Sequence, residues 1–199
     1  PKIDGLTVVL HYRNGLFVQG ATRGNGEIGE DITSNLRTVR SIPMKIPVNN
    51  KELSVPDYLV VRGEVFIDIP DFEKLNQKIA EAGEKTYLNP RNTAAGSLRQ
   101  LDPQITAQRP LRIYAYSILM SDGEIPTTQW GVLEYLKGLG FPVSEYSELC
   151  TDFDHVIELA KKWQDLRDQL NFEVDGIVVK INDLDLDNRL GYVGKDPRG

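Results

Sequence analysis

The chain has 199 residues, of which 40% are hydrophobic and 26% charged, and this length supports one substantial hydrophobic core. Its formal net charge of −6 argues against a protein that coats nucleic acid by charge alone. The single cysteine, Cys150, excludes an internal disulfide and a multi-cysteine zinc site, and two histidines disfavour a histidine-based metal site.

The distribution of charge and hydropathy narrows the class further. No apolar run is long enough to cross a bilayer, no signal peptide is visible, and the low cysteine content fits a reducing compartment. Residues 85–112 carry five basic side chains against one acid, whereas residues 145–187 are acidic. A basic face of this kind can hold a phosphate backbone, with ordinary solvated surface charge as the alternative.

The N-terminal part predicts a β-hairpin followed by a glycine-rich loop. Leu6–Arg13 and residues 16–20 are rich in apolar side chains and flank Asn14-Gly15, a strong hairpin signal. Residues 22–31 then combine glycine with charge. After them, Asp31 or Thr33 is expected to cap a short helix whose apolar side is formed by Ile32, Leu36 and Val39.

The middle of the chain predicts two strands separated by helical segments. Residues 58–67 alternate as a strand, with Arg62 and Glu64 on the face opposite to Val61 and Val65. Asp71 is expected to cap a helix over residues 71–82. Residues 89–102 predict a loop that enters a short helix carrying Arg99, and residues 111–120 predict a strand with Tyr114 and Tyr116 on one face.

The C-terminal part predicts helices over residues 127–137 and 153–170. The second has a Thr151-x-x-Asp154 capping box and an apolar stripe at core spacing. That stripe comprises Val156, Leu159, Trp163, Leu166 and Leu170. Residues 182–199 are predicted as a loop. Because strands and helices do not alternate as in a doubly wound sheet, the predicted fold class is α+β, with antiparallel β-sheets flanked by helices.

Three predicted strands carry functional groups on polar or mixed faces: Lys2 with Asp4, Arg62 with Glu64, and Asp175 with Lys180. The β-branched run in residues 173–181 predicts a buried strand, on which Val178 and Lys180 share a face. An apolar patch beside a cation suits a base ring next to a phosphate. The alternative is a core strand whose lysine reaches the surface at its end.

These stretches resemble the motifs of the covalent nucleotidyltransferases, which comprise DNA ligases, RNA ligases and capping enzymes. Lys2-Ile3-Asp4-Gly5 resembles the K-x-D-G motif, residues 62–65 the glutamate-bearing motif, and residues 173–180 the D-G-x-V-x-K motif. Residues 21–33 and 89–102 are similar to the NAD-dependent bacterial DNA ligases specifically. The resemblance runs over nearly the whole chain, in order, and implies the ligase adenylation fold.

The resemblance implies an AMP-transfer site built from these motifs. Lys2 would attack the α-phosphate of NAD, expelling nicotinamide mononucleotide and leaving lysyl-AMP, with assistance from Asp4. Lys180 would meet the α-phosphate, and Asp175 would place catalytic groups or metal near it. A lysine must be neutral to attack, and its ordinary pKa is about 10.4, so nearby cations or desolvation help.

Further residues take nucleotide, metal and DNA roles by the same resemblance. Arg23 and Glu64 would contact the AMP ribose region, while Tyr116 and Val178 would sandwich the adenine. Mg²⁺ (or Mn²⁺) would bind near carboxylates, namely Asp4, Glu64 and Asp175. Arginines would serve the DNA steps, in which AMP passes to the 5′-phosphate of a nick and the 3′-hydroxyl seals it. They are Arg91, Arg99 and Arg167.

Each assignment has a structural alternative. Arg167 can be an i,i+4 surface partner on an acidic helix, and Arg91 and Arg99 can form loop salt bridges. Asp4 and Glu64 can merely pair with Lys2 and Arg62. Tyr116 can be a core tyrosine whose hydroxyl is satisfied.

Residues 1–199 are expected to be the adenylation core, without the family's N-terminal nicotinamide-recognition module, its last lysine-bearing motif and its zinc-containing segment. The expected protein is monomeric, binds NAD or AMP and nicked double-stranded DNA, does not bind membranes, and works in the bacterial cytoplasm near the nucleoid. An ATP-dependent polynucleotide ligase is one alternative, disfavoured by residues 21–33 and 89–102. A catalytically inert nucleic-acid-binding remnant is the other, and it predicts DNA binding through Arg91 and Arg99 that does not depend on Lys2.

Overall fold

A four-stranded antiparallel sheet with strand order β3-β2-β4-β5 forms the centre of the molecule. The computed structural model describes residues 1–26, 28–193 and 196–197. The sheet strands are β2 (Leu6–Arg13), β3 (Leu16–Thr22), β4 (Tyr58–Ile67) and β5 (Leu111–Ser121). Shorter antiparallel pairs join β1 (Lys2–Ile3) to β6 (Val174–Gly176) and β7 (Tyr192–Val193) to β8 (Asp196–Pro197). The predicted α+β class with antiparallel sheets and helices is confirmed.

Seven helices surround these sheets in the described part of the chain. In order they are α1 (Thr33–Leu36), α2 (Ile69–Glu81), α3 (Pro90–Leu98), α4 (Pro103–Ala107), α5 (Gln129–Leu139), α6 (Phe153–Leu166) and α7 (Leu184–Leu190). A 3₁₀ turn, Arg167–Gln169, follows α6. Of these described helices, none has both the length and the apolar character that crossing a membrane requires.

The predicted hairpin and central strands are confirmed. Asn14 and Gly15 both have positive φ, at 48° and 73°, as a type I′ turn between twisted strands requires. Alternation along β4 buries one set of side chains, including Val61 and Val65, in the main core. Arg62 and Glu64 lie on the opposite face, where the sheet is only half covered.

A second, smaller hydrophobic cluster lies on the same side of β4 as Glu64. Phe66, two residues along β4, packs its ring 5.3 Å from that of Phe172, measured between centroids, and Leu170 and Val174 join the cluster. Phe172 lies two residues before β6, and Val174 is the first residue of β6. This cluster therefore holds the β1–β6 pair close to the polar face of the sheet.

Residues 173–181 differ from the prediction of a buried strand. Only Val174–Gly176 is a strand, and residues 177–181 have no regular structure. Val178 and Val179 are 53% and 55% exposed. Their β-branched side chains favour extended backbone, yet burial needs a facing layer, and the described residues provide none there.

Helix boundaries account for most of the other corrections. The N-cap position of α2 is Asp68, not Asp71, so Asp71 lies in the first turn. Residues 89–102 are mostly helical, because the Asn89 side chain caps α3 immediately before Pro90, and Arg99 lies at its C-terminal end. Residues 182–193 contain α7 and β7 in place of the predicted loop, while residues 194–195 and 198–199 lie outside the described residues.

The predicted helix over residues 153–170 is shorter and less buried than expected. It is capped by Asp152, whose carboxylate accepts a hydrogen bond from the His155 amide at 2.8 Å, and not by a Thr151 capping box. None of its residues is fully buried. Trp163 packs edge-on against Tyr146, so the apolar stripe covers the second cluster and does not enter the main core.

Candidate active site

The β1–β6 pair brings Lys2 and Asp175 together although they are far apart in the sequence. Lys2 pairs with Gly176 across the two strands, and the Asp4 amide donates a hydrogen bond to the Glu173 carbonyl at 2.9 Å. The Lys2 ammonium contacts the Asp175 carboxylate in an ion pair, with both side chains about half exposed. This contact lowers the pKa of Asp175 through hydrogen bonding and charge attraction.

Asp4 is held by an arginine from a different element. The Arg91 guanidinium lies 2.9 Å from the Asp4 carboxylate, and the Asp4 side chain is the more buried of the two. Arg91 has this position because Asn89 caps α3, which places Arg91 in the first helical turn. Asp4 therefore pairs with Arg91, and the alternative that it pairs with Lys2 is not what the structure shows.

Glu64 lies on the polar face of the sheet beside this pair. Burial raises the pKa of Glu64 to about 7, although a hydrogen bond from the Thr7 hydroxyl at 2.9 Å and the charge of Arg91 act in the opposite direction. Burial destabilises the charged form of a carboxyl because protein solvates it less well than water. Glu64 consequently has a carboxyl that can gain or lose a proton near neutral pH.

Lys180 and Arg62 form a cationic group above Tyr116. The Lys180 ammonium lies 5.2 Å from the centroid of the Tyr116 ring, a cation–π distance. Lys180 is exposed as a residue, yet its ammonium lies among protein atoms, and this desolvation, aided by the charge of Arg62, lowers its pKa. The Nε atom of Arg62 is buried and lacks a hydrogen-bond partner among the described residues. An anionic ligand beside Lys180 would therefore meet two positive charges.

The remaining predicted nucleotide residues are Tyr116, Arg23 and Val178. Tyr116 is half-buried, and burial raises the pKa of its phenol, with the charge of Glu64 adding to the effect. Arg23 is exposed at the start of the glycine-rich loop, and its backbone amide donates to the Thr7 carbonyl at 3.2 Å. Val178 is exposed, two residues before Lys180 in the sequence. Glu27 of the glycine-rich loop lies outside the described residues.

The three predicted DNA-binding arginines are all half exposed and all have acidic partners. Arg91 pairs with Asp4, and the Arg99 Nε lies 2.9 Å from a carboxylate oxygen of Glu30. Arg167 lies 3.4 Å from its neighbour Asp168 at the end of α6, and not from an i,i+4 partner. Exposed pairs of this kind are weak, so a phosphate can exchange with the carboxylate.

The predicted magnesium ligands are not gathered into one cluster. No group of three histidine, cysteine, aspartate or glutamate side chains suited to a metal occurs among the described residues. Asp4 is paired with Arg91 and Asp175 with Lys2. Their oxygen donors nevertheless suit Mg²⁺, which commonly takes one or two protein carboxylates and completes its shell with substrate phosphates and water.

Sequence reasoning missed Thr7, which lies directly across the β2–β4 ladder from Glu64. A threonine on a strand is an ordinary strand former, so its residue type carries no signal. The pairing register of β2 with β4 would have revealed it, because cross-strand partners share a face.

The fold and the site together define an α+β domain with a lysine–carboxylate pair near Glu64, and with Lys180 over the ring of Tyr116. The family model for the NAD-dependent DNA ligase adenylation domain matches residues 1–199. The chain therefore belongs to the family of NAD-dependent DNA ligase adenylation domains.

Proteins named DNA ligase are similar to this chain over its full length. The chain is 52% identical over 204 residues to the DNA ligase of Chloroflexus aggregans, and the match covers 100% of this chain and 30% of that protein. The DNA ligase of Herpetosiphon aurantiacus is 52% identical over 199 residues, and that of Thermomicrobium roseum 50% over 200 residues. Each match covers 100% of this chain and 29% of the relative. The chain thus spans less than a third of the length of these curated relatives.

Proposed function

We propose that this chain is the adenylation core of an NAD-dependent DNA ligase, with Lys2 as the nucleophile that accepts AMP. The observation that carries the proposal is the position of the Lys2–Asp175 pair beside Glu64, Arg62 and Lys180, on elements that the sequence separates widely. The family membership of the whole chain supports NAD as the AMP donor.

The proposed first step is attack of the neutral Lys2 amine on the α-phosphorus of NAD. A phosphorus–nitrogen bond forms, the bond to the bridging pyrophosphate oxygen breaks, nicotinamide mononucleotide leaves, and the amine loses its proton. The Lys2 side chain is held in an ion pair with Asp175, so this pair must separate before the amine can attack. Binding of the substrate near Arg62 and Lys180 supplies positive charge that stabilises the pentavalent phosphorus.

The residues around Tyr116 are proposed to hold the adenosine part of the nucleotide. Tyr116 offers an aromatic face for stacking, Val178 an apolar one, and Glu64 and Arg23 polar groups for the ribose. Lys180 now lies over the Tyr116 ring, so its ammonium would move toward the phosphate when adenine stacks there. A Mg²⁺ ion, with Asp4 or Asp175 among its candidate ligands, would neutralise phosphate charge.

The proposed later steps transfer AMP to the 5′-phosphate of a nick and then release it when the 3′-hydroxyl attacks. Arg91, Arg99 and Arg167 are candidates for holding the DNA phosphates, because guanidinium groups form forked contacts with phosphate oxygens. Their exposure leaves them accessible to such a partner. We also propose that the protein acts as a monomer in the bacterial cytoplasm.

The test is the intact mass of the protein after incubation with Mg²⁺ and either NAD or ATP. It uses this chain and the same chain grafted into the Chloroflexus aggregans DNA ligase in place of the matching residues. We expect an added AMP with NAD alone, lost completely in Lys2→Ala because the attacking amine is gone. Lys51→Ala, which removes an exposed loop lysine, is the control and should keep the adduct.

The other outcomes contradict the proposal in different ways. An adduct formed with ATP and not with NAD would move the protein to the ATP-dependent ligases. An adduct that persists in Lys2→Ala would show that another residue is the nucleophile. A graft that forms no adduct under any condition would refute the catalytic proposal and favour a nucleic-acid-binding remnant.

A further inference from the structure

Thr7 contacts two of the residues to which a nucleotide-binding role is assigned above. Its hydroxyl donates a hydrogen bond to the Glu64 carboxylate at 2.9 Å. Its backbone carbonyl accepts a hydrogen bond from the Arg23 amide at 3.2 Å. Glu64 and Arg23 come from different parts of the sheet, and Thr7 is their shared partner.

The sheet topology explains how one residue reaches both. Strand β2 lies between β3 and β4, and in the β2–β4 ladder Thr7 is directly opposite Glu64. Arg23 follows the last residue of β3, so its amide meets the start of β2. Since alternate residues share a face, Thr7 and Glu64 point to the side of the sheet that also carries Tyr116.

We propose that Thr7 is a positioning residue of the nucleotide site, whose hydroxyl orients the Glu64 carboxylate and whose carbonyl anchors the loop that carries Arg23. This inference rests on the proposed function, because it assigns Thr7 to the same nucleotide site. Thr7 itself need not touch the substrate.

The hydrogen bond has a geometric consequence for how Glu64 binds a ribose. Thr7 donates to one of the two carboxylate oxygens and so restricts the rotation of the Glu64 side chain. A carboxylate accepts hydrogen bonds at either oxygen, so ribose hydroxyls can donate to the other one. Thr7 therefore fixes the direction in which Glu64 presents an acceptor to the ribose.

The alternative is that Thr7 only stabilises the sheet as an ordinary cross-strand partner. Two substitutions separate these roles. Thr7→Val removes the hydroxyl but keeps the β-branched shape that strands favour, and Thr7→Ser keeps the hydroxyl but lacks the methyl group. A positioning role requires the serine variant to resemble the original protein. A packing role requires the valine variant to do so.

The first measurement is the affinity of the 199-residue chain for AMP, by isothermal titration calorimetry. We expect Thr7→Val to weaken binding several-fold, because Glu64 loses the hydrogen bond that orients it, and Thr7→Ser to bind as the original chain does. Unchanged affinity in a folded Thr7→Val chain would overturn the inference, and an original chain that does not bind AMP would overturn the proposed nucleotide site together with it.

The second measurement is NAD-dependent lysyl-AMP formation in the Chloroflexus aggregans graft. Thr7→Val should raise KM for NAD several-fold with a smaller change in kcat, and Thr7→Ser should keep the original KM. An active graft whose KM is unchanged in Thr7→Val would overturn this inference alone. A graft that forms no lysyl-AMP with Thr7 intact would overturn the proposed function, and this inference with it.

Discussion

Two carboxyl groups of the candidate site respond to their surroundings in opposite directions. Burial raises the pKa of Glu64 to about 7, whereas the neighbouring Lys2 ammonium lowers the pKa of Asp175. Asp175 is thus ionised at any physiological pH, and Glu64 changes charge in the neutral range. Groups with perturbed pKa values gathered in one cleft are typical of functional sites.

The raised pKa of Glu64 predicts how the free energy of unfolding depends on pH. The folded protein holds this proton more tightly than the unfolded chain, whose glutamates titrate near 4.5. The stabilisation is therefore fully present below pH 4.5 and is lost as pH rises through about 7, a change of at most about 3 kcal/mol. Urea unfolding of the original chain and Glu64→Gln at several pH values measures the difference.

Glu64→Gln should flatten the profile between pH 4.5 and pH 7, because the amide does not ionise. Glu73→Gln, which alters an exposed glutamate on α2, provides the matched control and should leave the profile unchanged. Parallel profiles for the original chain and Glu64→Gln would contradict the assigned pKa shift.

At the scale of elements, the short segment from Lys2 to Gly5 is positioned by its close approach to β4. A Cβ atom placed on Gly5 would lie 2.3 Å from the backbone carbonyl oxygen of Val65, closer than any real contact. Because Gly5 has no side chain, the chain can pass this close to β4 between β1 and β2, and β1 can pair with β6. The glycine of the Lys-x-Asp-Gly motif thus has a packing role that is separate from chemistry.

Gly5→Ala is expected to displace the segment that carries Lys2 and to reduce lysyl-AMP formation more than tenfold. The backbone must move to relieve the contact, which typically costs about 1–3 kcal/mol of unfolding free energy. Gly96→Ala is the control: its added Cβ meets nothing within 4 Å, and it replaces glycine inside α3. That variant should be more stable by about 0.5–1 kcal/mol. Equal activity of Gly5→Ala and the original chain would contradict the proposed role.

At the scale of the whole molecule, an acidic protein is proposed to bind a polyanion. The net charge is −6, and the predicted DNA-binding arginines are paired with acids. Binding of DNA then requires exchange of partners: the Arg99 guanidinium leaves Glu30 for a phosphate. Carboxylates that pair with these arginines reduce the affinity for DNA, since each must be displaced before its arginine can contact the DNA backbone.

Two variants test this exchange, measured as binding of nicked DNA to the grafted ligase over a range of salt concentrations. Glu30→Gln should tighten binding a few-fold, because Arg99 loses its competing carboxylate. Arg99→Ala should weaken binding and lower the slope of log affinity against log salt by about 0.9, the value for one phosphate contact with duplex DNA.

Arg40→Ala is the control for that experiment, since Arg40 is an exposed arginine with no assigned DNA role. It should leave the slope of affinity against salt unchanged. If Arg40→Ala and Arg99→Ala lower the slope equally, the contact is general charge attraction and the assignment of Arg99 fails.

Local patterns in the sequence were sufficient for much of the framework. Asn14-Gly15 determines its hairpin because both residues adopt positive φ readily, and alternation over Tyr58–Ile67 determines which side chains enter the core. The motif containing Lys2 and the one containing Asp175 were also recognisable from the sequence alone. These features depend on neighbours within a few residues, so the sequence by itself contains the information.

Other features depended on partners that are distant in the sequence. The exposed run at Val178 and Val179 has no facing layer in the described residues, and Thr7 becomes significant only opposite Glu64. Burial, strand register and pKa are properties of a three-dimensional environment. The sequence by itself determined the hairpin, the central strands and the motifs, and only the tertiary structure decided which polar groups share a face, because cross-strand pairing joins residues that no local pattern connects.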